Sequence, residues 1–330
     1  MAQIIALTPV RNEAWILDYF LRATSLWADH IVIVDHESTD GSYELAMSHP
    51  KTTVVRYEKP DFDEPQRRSM LIEEARKIPG DKVLVAIDTD EFLSWDGLQS
   101  NEWQRVKSAD PGTVFRIIRY GLRKPGPCYW EEGPFDFALV DDGTPFKTSA
   151  IHGNRMAMPD GCKPVLLHDI KMMHYQYMNW PRMRSKHDWY QCWELLNTPD
   201  KRPLVIYRQY HHMDPQFKRR LPQVPDAWLN GYSDAGVNIR DYENDADLFW
   251  WDREVVQMMA DRGPEHFRKL AIWDRDWNAV AQKVGLKDVD FSDPRSLLDK
   301  LVQKFLSATQ AHGRNWLVRG VQQLFRPFGW

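Results

Sequence analysis

Three cysteines in 330 residues (Cys128, Cys162 and Cys192) are too few and too irregularly spaced for a disulfide framework or a zinc cluster. No apolar run approaches the roughly 20 residues needed to span a bilayer. Met1 to Thr8 carries no basic residue ahead of its apolar stretch, so a secretory signal is not expected. A net charge of −4 supplies no basic surface, and no nucleic-acid partner is expected. Internal repeats, low-complexity segments and a clear flexible linker are also missing. What remains is a globular composition, 43% apolar and 27% charged, in a chain long enough for one large domain or two ordinary ones. A cytoplasmic protein is the expectation.

The first ninety residues alternate strands and helices. Gln3–Thr8 is a continuous apolar run, as in a strand covered on both faces. Asn12 is placed to cap a helix from about Glu13 to Trp27, with Ile16, Phe20, Ala23 and Trp27 on one face. His30–Val34 is a second strand ending at Asp35, and Ser38–Gly41 supplies a turn and the next helix cap. Thr52–Tyr57 is a third strand, Pro65 opens a helix to about Ile78, and Lys82–Ile87 is a fourth strand. This rhythm predicts a doubly wound, mostly parallel α/β sheet.

The fourth strand ends in Asp88-Thr89-Asp90-Glu91. In an extended segment residues i and i+2 face one side, so Asp88 and Asp90 would share a cavity at the strand's carboxyl end. Two hard oxygen donors at that spacing suit Mg²⁺ or Mn²⁺ bound to a substrate phosphate. Acidic triplets also serve as turns and helix caps. Polar loops follow the first strand (Thr8–Glu13) and the second (Asp35–Gly41) as well, and three such loops at carboxyl ends favour a shared nucleotide site.

Pro9-Val10-Arg11-Asn12-Glu13, Ile33-Val34-Asp35-His36-Glu37-Ser38-Thr39-Asp40-Gly41-Ser42 and Ile87-Asp88-Thr89-Asp90-Glu91 together resemble the family 2 glycosyltransferases of the GT-A fold, bacterial type with a D-x-D-E motif. The likeness is strong over about residues 3–95, weaker to about 190 and absent beyond. It implies a Rossmann-like GT-A domain that transfers a sugar from a nucleotide-diphosphate sugar, with UDP the commonest donor nucleotide and inversion the favoured outcome. It implies that Pro9, Arg11, Glu13 and Asp35 contact the nucleoside, that Asp88 and Thr89 lie near ribose, and that Asp88 and Asp90 serve the metal, Mn or Mg. A basic residue before the fourth strand often reaches the nucleotide in such proteins, a role open here to Arg67 or Arg68. A late histidine commonly completes the metal site. His168 and His174 are the candidates, and His174 is preferred because Arg182, Arg184, Ser185 and Lys186 follow it as in bacterial relatives. Lys186 is then a phosphate contact.

Inverting transfer needs a general base. In related folds it lies between the D-x-D strand and the late histidine, an interval holding Glu131, Glu132, Asp136, Asp141 and Asp142. Asp136, between Phe135 and Phe137, is preferred because desolvation there would raise its pKa, and Asp142 is the alternative.

Beyond residue 190 the chain reads as helical. Leu248–Met259 and Phe267–Val284 carry helical patterns in which Trp250, Trp251, Trp273 and Trp277 suit a core, as does Trp228. His211-His212 would sit on opposite faces of a strand. Arg314–Trp330 is amphipathic, basic and aromatic, suited to an anionic membrane surface or to a protein core. The expected division is a catalytic domain at 1–230 and a helical region at 231–330 associated with acceptor or membrane. The function expected is synthesis of a bacterial surface polysaccharide or glycoconjugate on a glycan or lipid-linked acceptor, at the inner face of the membrane. Two readings compete with it. One is an inactive GT-A fold acting as a glycan-binding or scaffolding subunit. The other is a phosphohydrolase using His152, His168-Asp169 and a later aspartate, which would need an all-helical setting. A sugar nucleotidyltransferase would need a glycine-rich loop after the first strand, and Pro9–Glu13 has no glycine.

Overall fold

The computed structural model describes residues 2–59, 63–124, 127–146, 155–214, 219–241 and 248–330. The chain divides into two compact units, Met1–Asn179 with Leu221–Asn244, and Trp180–Arg220 with Asp245–Trp330. Residue 230, the expected boundary, falls inside the segment that returns to the first unit.

In the first unit, β1 (Gln3–Val10), β2 (His30–Asp35), β3 (Thr52–Arg56) and β4 (Lys82–Ala86) alternate with α1 (Ala14–Thr24), α2 (Ser42–Ser48) and α3 (Glu64–Lys77). The sheet continues through β5 (Glu91–Leu93), β6 (Val114–Arg123), β7 (Cys128–Val140) and β8 (Val165–Tyr177), in the order β3-β2-β1-β4-β7-β6-β8-β5. Pairs β3–β2, β2–β1, β1–β4 and β6–β8 are parallel, and the other three are antiparallel. This is the expected doubly wound, mostly parallel α/β sheet, consistent with a GT-A-like, Rossmann-type fold. Strand alternation splits the core in two. Ile4, Ala6, Ile31, Ile33, Val83 and Val85 pack with Ile16 and Phe20 of α1, while Ile5, Leu7, Val32, Val34, Leu84 and Ala86 pack with Leu71, Ile72 and Ala75 of α3. Helices on both faces explain why these strands are apolar throughout. Between β1 and β4 the strand order reverses, and the carboxyl ends there open a crevice of the kind that binds ligands in such sheets. The returning segment is anchored where Tyr129 N–H donates to Pro222 O at 3.0 Å and the buried Tyr232 hydroxyl donates to Leu93 O at 2.8 Å.

The second unit is helical among its described residues. Its main elements are Trp180–Asn197, Pro203–Tyr210, Trp250–Arg262, Trp277–Lys283, Leu297–Ala308 and Trp316–Gln323. Trp251, Trp273 and Trp277 are buried there, and Trp228 is buried in the first unit, as the patterns implied; Trp250 is half-buried. Two expectations fail. The pattern over Phe267–Val284 is not one helix: turns intervene until Asp276 caps Ala279 N–H at 3.0 Å and starts Trp277–Lys283. His211 and His212 are not on a strand; they follow the helix Pro203–Tyr210, and His211 stacks on Tyr207 at 4.1 Å.

Candidate active site

The loops after β1 and β2 are built as one piece. Ser38 Oγ accepts Asn12 N–H at 2.9 Å, Asn12 Oδ1 accepts Thr39 N–H at 2.7 Å, Ser42 Oγ accepts Glu13 N–H at 2.8 Å, and Asp40 accepts Ala14 N–H at 3.0 Å. Asn12 therefore does not cap α1; residues of the neighbouring loop take the N–H groups at its start. Asn12 (φ 55°) and Glu37 (φ 50°) both hold left-handed backbone, a cost that such cross-bracing sustains and that commonly marks functional loops. Pro9 and Arg11 are half-buried beside it. The Glu13 carboxylate accepts the Trp15 indole N–H. Asp35, 1% exposed, accepts Ser38 N–H at 3.2 Å through Oδ2, while its buried Oδ1 has no hydrogen-bond partner among the described residues. A buried carboxylate oxygen left open this way suits an N–H or O–H donor of a ligand.

The acidic motif is not extended. Glu91 N–H donates to Asp88 O at 3.0 Å, which makes residues 88–91 a turn. Asp88, 30% exposed, faces two guanidinium groups, Arg68 at 2.9 Å and Arg155 at 2.8 Å, one on each oxygen. Desolvation works against its charge, but Arg155 and Arg68 outweigh it and hold the carboxyl well below the usual range. Asp90, 12% exposed, has its Oδ1 3.7 Å from His174 Nε2. Strand register makes that meeting: Glu91 pairs with His174 across β5–β8, and Tyr175 N–H donates to Asp90 O at 2.7 Å. Thr89 is buried in the turn.

Behind the imidazole lies Glu132, 3.1 Å from Nδ1. In the β6–β7 ladder Arg119 opposes Gly133 and Tyr120 opposes Glu131, so Glu132 is the extra residue of a bulge. Bulges re-aim side chains in this way. Gln176 Nε2 also lies 3.1 Å from Nδ1, so two side chains hold the ring from behind while Nε2 faces Asp90. Burial opposes the Glu132 charge, yet His174 and Arg119 (2.6 Å away) bring its pKa down to about 2. Glu91, fully buried, is held by Arg155 at 2.6 Å and Arg119 at 3.3 Å. The Phe135 ring lies 5.3 Å from the Arg119 guanidinium and 5.2 Å from that of Arg155.

The expected three-donor metal set is thus only partly assembled. Among the described residues no group of three or more His, Cys, Asp or Glu is placed to hold an ion. Asp88 is engaged by arginines, whereas Asp90 and His174 are together. Metal–ligand bonds of about 2.1 Å let two groups 3.7 Å apart share one ion, and Mg²⁺-type sites often use one or two protein ligands with waters and phosphate. A carboxylate facing one imidazole nitrogen, with a second carboxylate on the far nitrogen, is a donor set that fits a divalent cation.

Arg67 is buried on α3 beside Arg68, close enough to Asp88 and Arg11 for their charges to act on it. Lys186 belongs to the helix Trp180–Asn197 of the second unit. Asp136 is not enclosed by its flanking phenylalanines. Both its oxygens bind Arg116, at 2.7 and 3.0 Å, and it would have to surrender that pair to accept a proton. Asp142 sits in an exposed turn; burial is outweighed by hydrogen bonds from Thr144, which hold its carboxyl below the usual range. Neither has a recorded contact with the Asp88–His174 cluster among the described residues. His168 is exposed on β8 rather than in the helix that the phosphohydrolase reading requires, and His152 lies outside the described residues. Sequence reasoning missed Arg119 and Arg155 altogether.

No family model matches the chain, and no curated protein matches it. Among solved structures it is similar to glucosyl-3-phosphoglycerate synthase from Mycobacterium tuberculosis, crystallised with Mn²⁺, uridine diphosphate and phosphoglyceric acid. That match has 16% identity over 36% of this chain and 43% of the synthase, with a TM-score of 0.27. It is also similar to HddC from Yersinia pseudotuberculosis, at 9% identity over 53% of this chain and 94% of that one, with a TM-score of 0.29. The match spans less than half of the synthase's length.

Proposed function

We propose that the first unit is a metal-dependent GT-A glycosyltransferase that moves a sugar from a nucleotide-diphosphate sugar, UDP favoured, to a glycan or lipid-linked acceptor with inversion, in bacterial surface polysaccharide or glycoconjugate synthesis. The observation that carries it is the apposition of Asp90 and His174 beside Asp88 at the carboxyl end of β4. Asp90 and His174 would hold a divalent ion, Mn or Mg, and Glu132 keeps the imidazole oriented. Bound there, the ion would neutralise charge on the departing diphosphate. Arg155 and Arg68 hold Asp88 ionised and fixed, where it can take a ribose hydroxyl. Asp35 Oδ1 offers an acceptor to the nucleobase, and Pro9, Arg11 and Glu13 wall that loop. Exposed apolar side chains on the last helices (Trp316, 76% exposed, and Leu324, 67%), with Arg314, Arg319 and Arg326 nearby in sequence, support peripheral contact with an anionic membrane.

One observation favours the alternative, an inactive GT-A fold that binds glycans or scaffolds: both Asp88 oxygens already have cationic partners. Thermal-shift binding of UDP, GDP, CDP and dTDP, each with and without Mn²⁺, separates the two. A catalytic donor site gives a metal-dependent rise with one nucleotide, lost in Asp90→Ala. No rise with any nucleotide would remove the transferase reading. Co-sedimentation with phosphatidylglycerol vesicles tests the membrane contact, which Trp316→Ala with Leu324→Ala should abolish; equal pelleting of the variant would refute it.

A further inference from the structure

The second unit contains a cavity of about 560 Å³, within the size range of small-molecule sites. Arg184, His187, Asp188 and Gln191 recur at helical spacing along Trp180–Asn197, so one face of that helix lines it. Asp188 is 5% exposed, and no described residue hydrogen-bonds to its carboxyl. A carboxyl group in that position, lining a cavity without a partner, is costly unless a ligand supplies one. Beside it Gln191, nearly fully buried, uses its side-chain oxygen to accept Ala271 N–H at 3.3 Å. Its amide N–H groups are the donor half of that wall.

The other walls say what kind of ligand fits. Tyr207 stacks on His211 and Tyr210 on Tyr190 at 5.5 Å, and the buried Tyr207 and Tyr210 rings give their wall its apolar part. Arg184 and Lys304 are exposed, and Lys300 is half-exposed. With Arg295, which pairs with Asp274 at 3.2 Å, the lining holds four cations against two carboxylates, Asp214 and Asp274, besides the Asp188 carboxyl. An acceptor–donor pair matches adjacent sugar hydroxyls, and mobile cations match an anionic substituent.

We propose that this cavity binds a sugar bearing a carboxylate or a phosphate, with Asp188 and Gln191 on its hydroxyls and Arg184 and Lys304 on its anion. The site lies wholly in the second unit and does not depend on the nucleotide reading of the first.

Calorimetric titration of the full chain with glucuronate, glucose 6-phosphate, glucose and inorganic phosphate tests it. Saturable binding of glucuronate or glucose 6-phosphate is expected, at least roughly tenfold tighter than glucose or phosphate alone. Whichever of the two acids binds identifies the anion. Arg184→Ala with Lys304→Ala, a surface change that leaves the core intact, should weaken the acid by about tenfold and leave glucose unaffected. Asp188→Ala should weaken both sugars. Inorganic phosphate binding as tightly as glucose 6-phosphate would overturn the sugar assignment, and glucose binding as tightly as the acids would overturn the anion assignment. No saturable heat with any of the four, or full binding by both variants, would overturn the site.

Discussion

Asp188 keeps its proton far above the usual carboxylate range. Burial pushes its pKa up to about 8, with Asp252 and Asp274 adding to the rise and Arg184 and Arg275 working against it. An unfolded aspartate releases its proton near pH 4. Between those values the native chain binds one proton more than the unfolded chain, so this stabilisation is complete below about pH 4 and is lost as pH rises through about 8. The slope is about 1.4 kcal/mol per pH unit. His187 and His211 are also buried, which lowers their pKa values, and their protonation in the unfolded chain runs the opposite way below about pH 6.5. The clean window is therefore about pH 6.5 to 8, where Asp188 alone should cost about 2 kcal/mol. Asp188→Asn has no proton to lose. Urea unfolding followed by tryptophan fluorescence, on both proteins at half-unit steps, should show the variant gaining about 2 kcal/mol on the wild type across that window. Two parallel stability curves would refute the argument, because they would mean that Asp188 ionises in the folded protein as it does in the unfolded one.

Asp252 is fully buried and accepts from Arg275 (Nη2 at 2.8 Å), from Phe249 N–H at 2.8 Å and from the Ser185 hydroxyl. Asp252→Ala strands the guanidinium and opens the helix Trp250–Arg262, and should cost about 3–5 kcal/mol; a urea midpoint within error of wild type would contradict this. Glu132→Gln keeps the size of the group behind His174 but removes the charge beside its Nδ1. The Mn²⁺ concentration needed for the nucleotide-dependent thermal shift should rise about 10- to 100-fold, and an unchanged requirement would place His174 outside the metal site.

Much of the nucleotide end was open to reading because its signals are local. Continuous apolar runs define most of β1 to β4, period-3.6 patterns define their helices, and the polar loops follow directly from strand ends. Asp35, Asp88 and Asp90 sit in those loops by chain geometry alone. The partners of these residues carry no such signal. Arg155 reaches Glu91 across 64 residues of sequence, and nothing adjacent to it marks it as a member of the site. Glu132 and Asp136 look equivalent as loop carboxylates. A bulge sends the first to His174, and cross-strand pairing gives the second to Arg116.

The sequence by itself determined a doubly wound α/β unit and three polar loops at its carboxyl ends, because hydrophobic period and turn chemistry act over a few residues. Only the tertiary structure decided that the acidic motif is a turn, that Asp88 belongs to two arginines and Asp90 to His174, and that residues 221–244 return to the first unit. Those outcomes depend on strand register, a bulge and ion pairs closed between distant segments. Such long-range contacts are set by the packing of the whole sheet and are not encoded in any short window of the chain.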